Sequence, residues 1–119
     1  MSDNIERGSF YLGTHRGIVV NIGWHRRPAE APAPDEWGVN LYVPIPHGEN
    51  MDIARVDTDH AGCHADHLYR DPPKREDYSV FYTGPDEAIR KFFTKEEQWR
   101  DYLDKYVENY GRPDQGGNV

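Results

Sequence analysis

The sequence predicts an α+β domain in which an antiparallel sheet of four to six strands packs against C-terminal helix. Apolar and polar residues alternate at 18–25 and again at 37–43, which is typical of strands with one buried face. Apolar residues then recur at helical spacing between positions 89 and 110. Strand patterns followed by a helical pattern are typical of the α+β class.

The first two strands are predicted from this alternation. A short strand at 9–12 is expected to pair with the strand at 18–25 through a turn at 13–17. The apolar face of the second strand consists of Ile18, Val20, Ile22 and Trp24. We expect these side chains to be buried beneath the helix. Further buried residues are expected to be Val39, Leu41, Phe93, Leu103 and Val107.

The remaining strands are separated by turn signals. Residues 28–36 hold three prolines and three alanines and predict a surface loop, because proline disrupts both helices and sheet ladders. Strands are then expected at 37–43, at 51 to about 57 and at about 64–70. An aromatic segment at 78–82 predicts the last strand.

The C-terminal helix is expected to begin near Pro85, which suits the first helical position. Gly111 and Pro113 should end it. Residues 94–97 read Thr-Lys-Glu-Glu, a capping-box sequence, so either one long helix or two consecutive helices fit. Aromatic residues at helical spacing suit core and rim positions better than a base-stacking platform; they are Trp99, Tyr102, Tyr106 and Tyr110.

Length and composition indicate a single domain over 1–119, with a core of about 8–111 and a flexible tail at 112–119. The lone Cys63 cannot form an intramolecular disulfide, and no apolar run resembles a signal peptide or a membrane span. We therefore expect a cytoplasmic protein. The net charge of −7 argues against bulk attraction to nucleic acid, although residues 15–27 are locally basic.

Three histidines and three aspartates fall within residues 57–67, and no other stretch concentrates side chains that can transfer protons or bind metal. If residues 59–62 form a turn, Asp57 faces His64, Arg55 faces Asp66 and Ile53 faces Leu68 on one side of the hairpin. The other side then carries small groups and His67, which suits packing by a helix; these residues are Ala54, Val56, Ala65 and His67. The polar side chains of Arg55, Asp57, His64 and Asp66 would then project on the side opposite the helix. His60 would lie beside them at the turn.

Three interpretations fit this cluster. In the first, one histidine of the pair His60 and His64 takes a ribose 2′-hydroxyl proton, the other protonates the leaving oxygen, and Arg55 stabilises the phosphate. Asp57 would orient His64. Substrate binding is assigned to His67, Arg26 and Arg27.

In the second interpretation, His60 and His64 bind a divalent ion together with Asp57 or Asp59, and the mixed ligands favour zinc, manganese or iron. The spacing matches no standard motif, so we expect no tightly bound metal and no cofactor. In the third, the turn is polar only because turns favour Asp and Gly, and the protein is a non-enzymatic interaction module.

The order of these elements resembles a known family. A strand ending in Arg55-Val56-Asp57, a histidine-rich turn, a strand opening at residues 64–67 and a terminal helix are similar to the TumE-like proteins of prokaryotic toxin–antitoxin operons. The resemblance covers about residues 8–110. It implies a small α+β toxin that acts on RNA and is neutralised by an antitoxin protein.

The leading hypothesis is accordingly a metal-independent ribonuclease with toxin-like activity. Its partners would be an RNA substrate, a cognate antitoxin and, as a homodimer, a second copy of the chain. No membrane partner is expected.

Overall fold

The computed structural model describes residues 4–31, 33–59 and 62–115. Within these residues, six strands form one antiparallel sheet in which each strand pairs with the next along the chain. The strands are β1 (Glu6–His15), β2 (Ile18–Arg27), β3 (Glu36–Val43), β4 (Met51–Asp59), β5 (Gly62–His67) and β6 (Lys74–Asp77). A C-terminal helical segment covers 85–110. The predicted α+β class is confirmed.

The helical segment packs on one face of the sheet, and the apolar core lies between them. Ile18, Val20, Ile22 and Leu41 are fully buried there, and Val39 is almost so. From the helical segment, Phe93 and Leu103 are fully buried. Trp24 and Val107 were expected in the same set, but they are half-buried at the margin of the core. We call this the helix face of the sheet and the opposite one the polar face.

The predicted register of the hairpin formed by β4 and β5 is confirmed. Arg55 pairs with Asp66 and Asp57 pairs with His64. Ile53 was predicted beside them on the polar face, and this was wrong. The register between β3 and β4 shifts at this point, since Leu41 pairs with Ala54 and Tyr42 with Asp52. A bulge of this kind changes the direction in which the side chain of the extra residue points. The side chain of Ile53 is therefore fully buried in the core instead of lying on the polar face.

The predicted aromatic strand at 78–82 was also wrong, because the last strand is the charged segment Lys74–Asp77. Asp77 ends it: its Oδ1 accepts hydrogen bonds from the Ser79 backbone N–H at 3.0 Å and from the Ser79 hydroxyl at 2.6 Å. Such a local turn removes the backbone from the ladder. The aromatic residues that follow bend away, and Phe81 is 85% exposed.

The first strands are longer than predicted. β1 extends over Glu6–His15, where a strand at 9–12 was expected, and the turn is reduced to Arg16 and Gly17. A bulge between Tyr11 and Gly13 lets β1 continue its pairing past Gly13.

The helical segment begins at Pro85, as predicted, but it is broken in the middle. α1 (Pro85–Ala88) continues as a π-helix over Ile89–Thr94, and α2 covers Gln98–Tyr110. Glu96 and Glu97 have φ angles of 55° and 57°, which are left-handed and interrupt the helix. Thr94 is not a capping-box residue, since its hydroxyl donates back to the Ile89 carbonyl at 3.0 Å.

The C-terminal end is held more firmly than the expected loose tail. Gly111 ends α2 with a φ angle of 88°. Arg112 then donates a hydrogen bond to the Arg16 carbonyl at 2.9 Å, and Pro113 is buried. Residues 116–119 lie outside the described part of the chain. Among the described residues, no helix has the length and apolar character required to cross a membrane.

The packing of α2 predicts a large stability loss for Leu103→Ala. Removing this fully buried side chain should lower the free energy of unfolding by about 2–5 kcal/mol, since it leaves a cavity between sheet and helix. Chemical denaturation followed by circular dichroism measures the effect. Phe81→Ala is the matched control, because its exposed ring should change stability by less than about 0.5 kcal/mol. Equal losses from the two variants would contradict this packing.

Candidate functional site

Rows of directly paired residues cross the polar face from strand to strand. One row runs through Arg7, His25, Gly38, Asp57 and His64. The next row runs through Ser9, Gly23, Asn40, Arg55 and Asp66. Paired residues of antiparallel strands project their side chains on the same face, about 5 Å apart. The meander therefore gathers histidine, aspartate and arginine side chains that are far apart in sequence.

Gly38 makes room for the imidazole of His25. A Cβ atom at position 38 would lie 2.5 Å from Cε1 of His25, which is closer than real contacts allow. The ring thus lies over the backbone of β3, on the side that leads to Asp57. His25, Asp57, Asn40 and Arg55 line a pocket of about 110 Å³ at this point, which we call the central pocket.

Asp57 is placed to exchange a proton. Its carboxylate is half-buried, and Oδ1 has no hydrogen-bond partner among the described residues. Burial raises the pKa of Asp57 above its ordinary value, while the nearby charges of Arg55, His64 and His25 oppose the rise. A carboxylate with a raised pKa is a stronger base than a solvated one.

His64 lies beside Asp57 but is largely enclosed, with 9% of its surface exposed. Its Nδ1 is 3.5 Å from Oδ2 of Asp59, and its Nε2 is 3.9 Å from Oδ1 of Asp66. The ring of Tyr78 packs against it, with the ring centroids 5.3 Å apart. His64 is thus held among carboxylates and does not line the central pocket. It is joined to Asp57 only by their pairing across β4 and β5.

Arg55 is fixed by carboxylates on either side of it. Nη2 donates to Oδ2 of Asp66 at 3.0 Å, and Nη1 is 3.8 Å from Oδ2 of Asp52. Asp66 is almost fully buried and also accepts the Glu76 backbone N–H at 2.8 Å. The guanidinium is about one third exposed. It therefore presents a positive charge in a defined orientation at the central pocket.

The other residues predicted from sequence are placed elsewhere. His67 lies on the helix face, buried, and its ring nitrogens form hydrogen bonds with Tyr69 at 2.8 Å and Asp77 at 2.9 Å. Arg26 also projects from β2 on the helix face, where its Nε is 2.8 Å from Oε1 of Glu6. Arg27 is 3.6 Å from Glu36. The structure does not bring these three side chains to the central pocket, and His60 lies outside the described residues.

His25 was not among the site residues predicted from the sequence. The signal for it was present: His25 occupies the polar side of the alternating strand at 18–25, and a glycine lies opposite it in β3. Asn40 was missed in the same way. Its amide donates to Oδ1 of Asp52 at 2.9 Å, which directs its own oxygen over Gly23.

Metal and thiolate chemistry gain no geometric support from the described residues. No group of three or more His, Cys, Asp or Glu side chains within them is arranged to hold a metal ion. Burial raises the pKa of the Cys63 thiol, so the thiolate form is disfavoured.

Comparisons with known proteins identify a family. A family model with the description "Domain of unknown function (DUF7718)" matches residues 25–112, which include His25, Asp57 and Arg55 but not Arg7. No curated protein and no solved structure matches the chain. Nothing in these comparisons links it to TumE-like toxins. Because the match covers most of the chain, this protein belongs to the DUF7718 family, a domain of unknown function.

Proposed function

We propose that this protein is a metal-independent ribonuclease whose reacting groups are Asp57, His25 and Arg55. The proposal rests on one observation: a carboxyl group with a raised pKa, an imidazole and a guanidinium line the same pocket. A base, an acid and a fixed positive charge are the groups required to cleave RNA without metal. Asn40 completes the pocket as a polar group that can bind the ribose or the phosphate.

The reaction can be written for these groups. The Asp57 carboxylate takes the proton from a ribose 2′-hydroxyl, and the 2′-oxygen attacks phosphorus to form a new P–O bond. The bond from phosphorus to the 5′-oxygen breaks, and the imidazolium of His25 gives its proton to that oxygen. Arg55 stabilises the negative charge on the phosphoryl oxygens. The products are a 2′,3′-cyclic phosphate and a free 5′-hydroxyl.

This assignment changes the role first given to His64. A buried side chain that does not line the pocket is a positioning residue, and His64 acts on Asp57, its partner across the two strands, through its charge. His60 has no part in the proposal. His67 and Arg26 were predicted to bind the substrate, but they lie on the helix face. We assign substrate binding to Arg55 and Asn40, which line the central pocket on the polar face.

We further propose that the activity is toxin-like and is restrained in the cytoplasm by a cognate antitoxin that covers the polar face. The support is chemical, since a nuclease that cleaves cellular RNA damages the cell that makes it. The alternative is a non-enzymatic interaction module, and the exposed ring of Phe81 favours it as a partner anchor. A homodimer fits either proposal.

The first test is RNA cleavage by the purified protein. Wild type should cleave a labelled single-stranded RNA in the presence of EDTA, leave DNA of the same sequence intact, and produce 2′,3′-cyclic phosphate ends. His25→Gln and Gly38→Ala should each reduce the rate, His25→Gln by about 10² to 10⁴-fold. In Gly38→Ala, the added methyl group displaces the imidazole without removing it.

The matched control is His47→Asn, a histidine change in an exposed loop where asparagine tolerates the positive φ angle. It should cleave RNA at the wild-type rate. Thermal melts of all variants check the fold. Equal cleavage by wild type and His25→Gln would refute His25 as the acid, and no cleavage by wild type would refute the proposal.

A second prediction concerns the stability cost of Asp57. Its folded pKa lies above its unfolded pKa, so the protonated form favours folding at low pH and this contribution is lost as pH rises through the folded pKa. Asp57→Asn resembles the neutral form. It should therefore melt at a higher temperature than wild type at pH 7, and the difference should shrink below about pH 4. A lower melting temperature for the variant at pH 7 would contradict the raised pKa.

A third prediction separates toxin from module inside cells. Induced expression of wild type should arrest growth and degrade RNA, whereas His25→Gln at the same protein level should do neither. Growth curves and RNA integrity measured together decide this. If Phe81→Ala relieves growth arrest and His25→Gln does not, the interaction module becomes the better account.

A further inference from the structure

A larger pocket of about 560 Å³ adjoins the central pocket at one end of the sheet. It lies where the start of β4 and the loop at 68–73 meet the C-terminal end of α2. Arg55 lines both pockets. We call the larger one the tyrosine pocket, because Tyr106 and Tyr110 form its wall on the helix side.

The tyrosine pocket offers flat and apolar surface. Tyr106 and Tyr110 lie one helical turn apart, with ring centroids separated by 5.0 Å and planes inclined at 49°. Tyr110 is 44% exposed, and its hydroxyl donates a hydrogen bond to the Arg70 carbonyl. That bond fixes the ring to the loop at 68–73. Apolar lining is completed by Met51, Leu68 and Pro73.

The charges around the tyrosine pocket balance. Arg55 and Arg75 oppose Asp52 and Asp71 among its lining residues, so the pocket has no excess of either sign. A pocket of this size with flat rings and balanced rim charges suits a neutral planar group better than a phosphate. Nucleobases are such groups, and stacking on aromatic side chains is the usual way in which proteins hold them in single strands.

We propose that the tyrosine pocket binds a nucleobase of single-stranded RNA, stacked on Tyr110 and Tyr106. The base belongs to a nucleotide next to the phosphodiester that Arg55 holds. This inference rests on the proposed function, because that is where Arg55 is assigned to the phosphate. It replaces the expectation that these tyrosines serve only as core and rim.

The test is equilibrium binding of a fluorescently labelled DNA trinucleotide, which has no 2′-hydroxyl and cannot be cleaved by the proposed reaction. Fluorescence anisotropy measures its dissociation constant. Tyr110→Leu should weaken binding by about tenfold, while Tyr110→Phe, which keeps the ring, should stay within about twofold. Tyr11→Leu is the matched control, because Tyr11 is 61% exposed on β1 and does not line the tyrosine pocket.

A ligand series sharpens the result. Three trinucleotides, each with one abasic position, are titrated against wild type and Tyr110→Leu. One of them should bind wild type about tenfold more weakly than the intact ligand, and Tyr110→Leu should add no further loss for that ligand. If Tyr110→Leu does not fold, the abasic series on wild type decides alone.

The outcomes separate the two proposals. Absence of binding at millimolar trinucleotide, equal binding of every abasic ligand, or unchanged binding by Tyr110→Leu would overturn the tyrosine pocket. Base-dependent binding without RNA cleavage would keep the pocket and refute the nuclease. RNA cleavage together with equal binding of the intact and abasic trinucleotides would support the nuclease and refute the nucleobase site in the tyrosine pocket.

Discussion

The register of β4 against β5 is the constraint on which both the core and the candidate site depend. Pairing of Arg55 with Asp66 and of Asp57 with His64 places all four polar side chains on one face. Slipping the register by one residue would turn one strand over and place charged groups beneath the helix. Burying charges there would cost several kcal/mol each. The 3.0 Å hydrogen bond from Arg55 to the buried Asp66 carboxylate reinforces the observed register.

Alternation and turn signals were enough to predict the sheet, the start of the helical segment and the hairpin register. They failed where a local hydrogen bond or an extra residue overrode the pattern: the Asp77 turn before the aromatic segment and the bulge at Ile53. They left open whether the helical segment is one helix or two, and the left-handed Glu96 and Glu97 interrupt it. The cluster was predicted because its residues are close in sequence. His25 was not, because its approach to Asp57 depends on a glycine in another strand.

The polar face carries a cost that a purely structural surface would avoid. Oδ1 of Asp57, Nδ1 of His64 and Nε of Arg55 are buried without a hydrogen-bond partner in the described residues. Each such group costs about 1–3 kcal/mol relative to a satisfied one. These atoms lie in one cluster, on the face opposite the core. Asp57 and Arg55 line the central pocket, where a ligand can complete the contacts of their unpartnered atoms.

The net charge of −7 limits how the proposed ribonuclease could bind RNA. Several acids lie on the helical segment away from the sheet, where Glu96, Glu97 and Asp101 are exposed. At the central pocket, Arg55 lies beside Asp57 and is paired with Asp66 and Asp52, so the pocket offers a phosphate one oriented guanidinium and no excess of positive charge. Neutralising one phosphate releases few counterions, and the salt dependence of binding would then be shallow. A duplex-binding groove needs many such contacts. The proposed ribonuclease would instead bind one phosphodiester of a single strand, held by Arg55 and by the base placed in the tyrosine pocket.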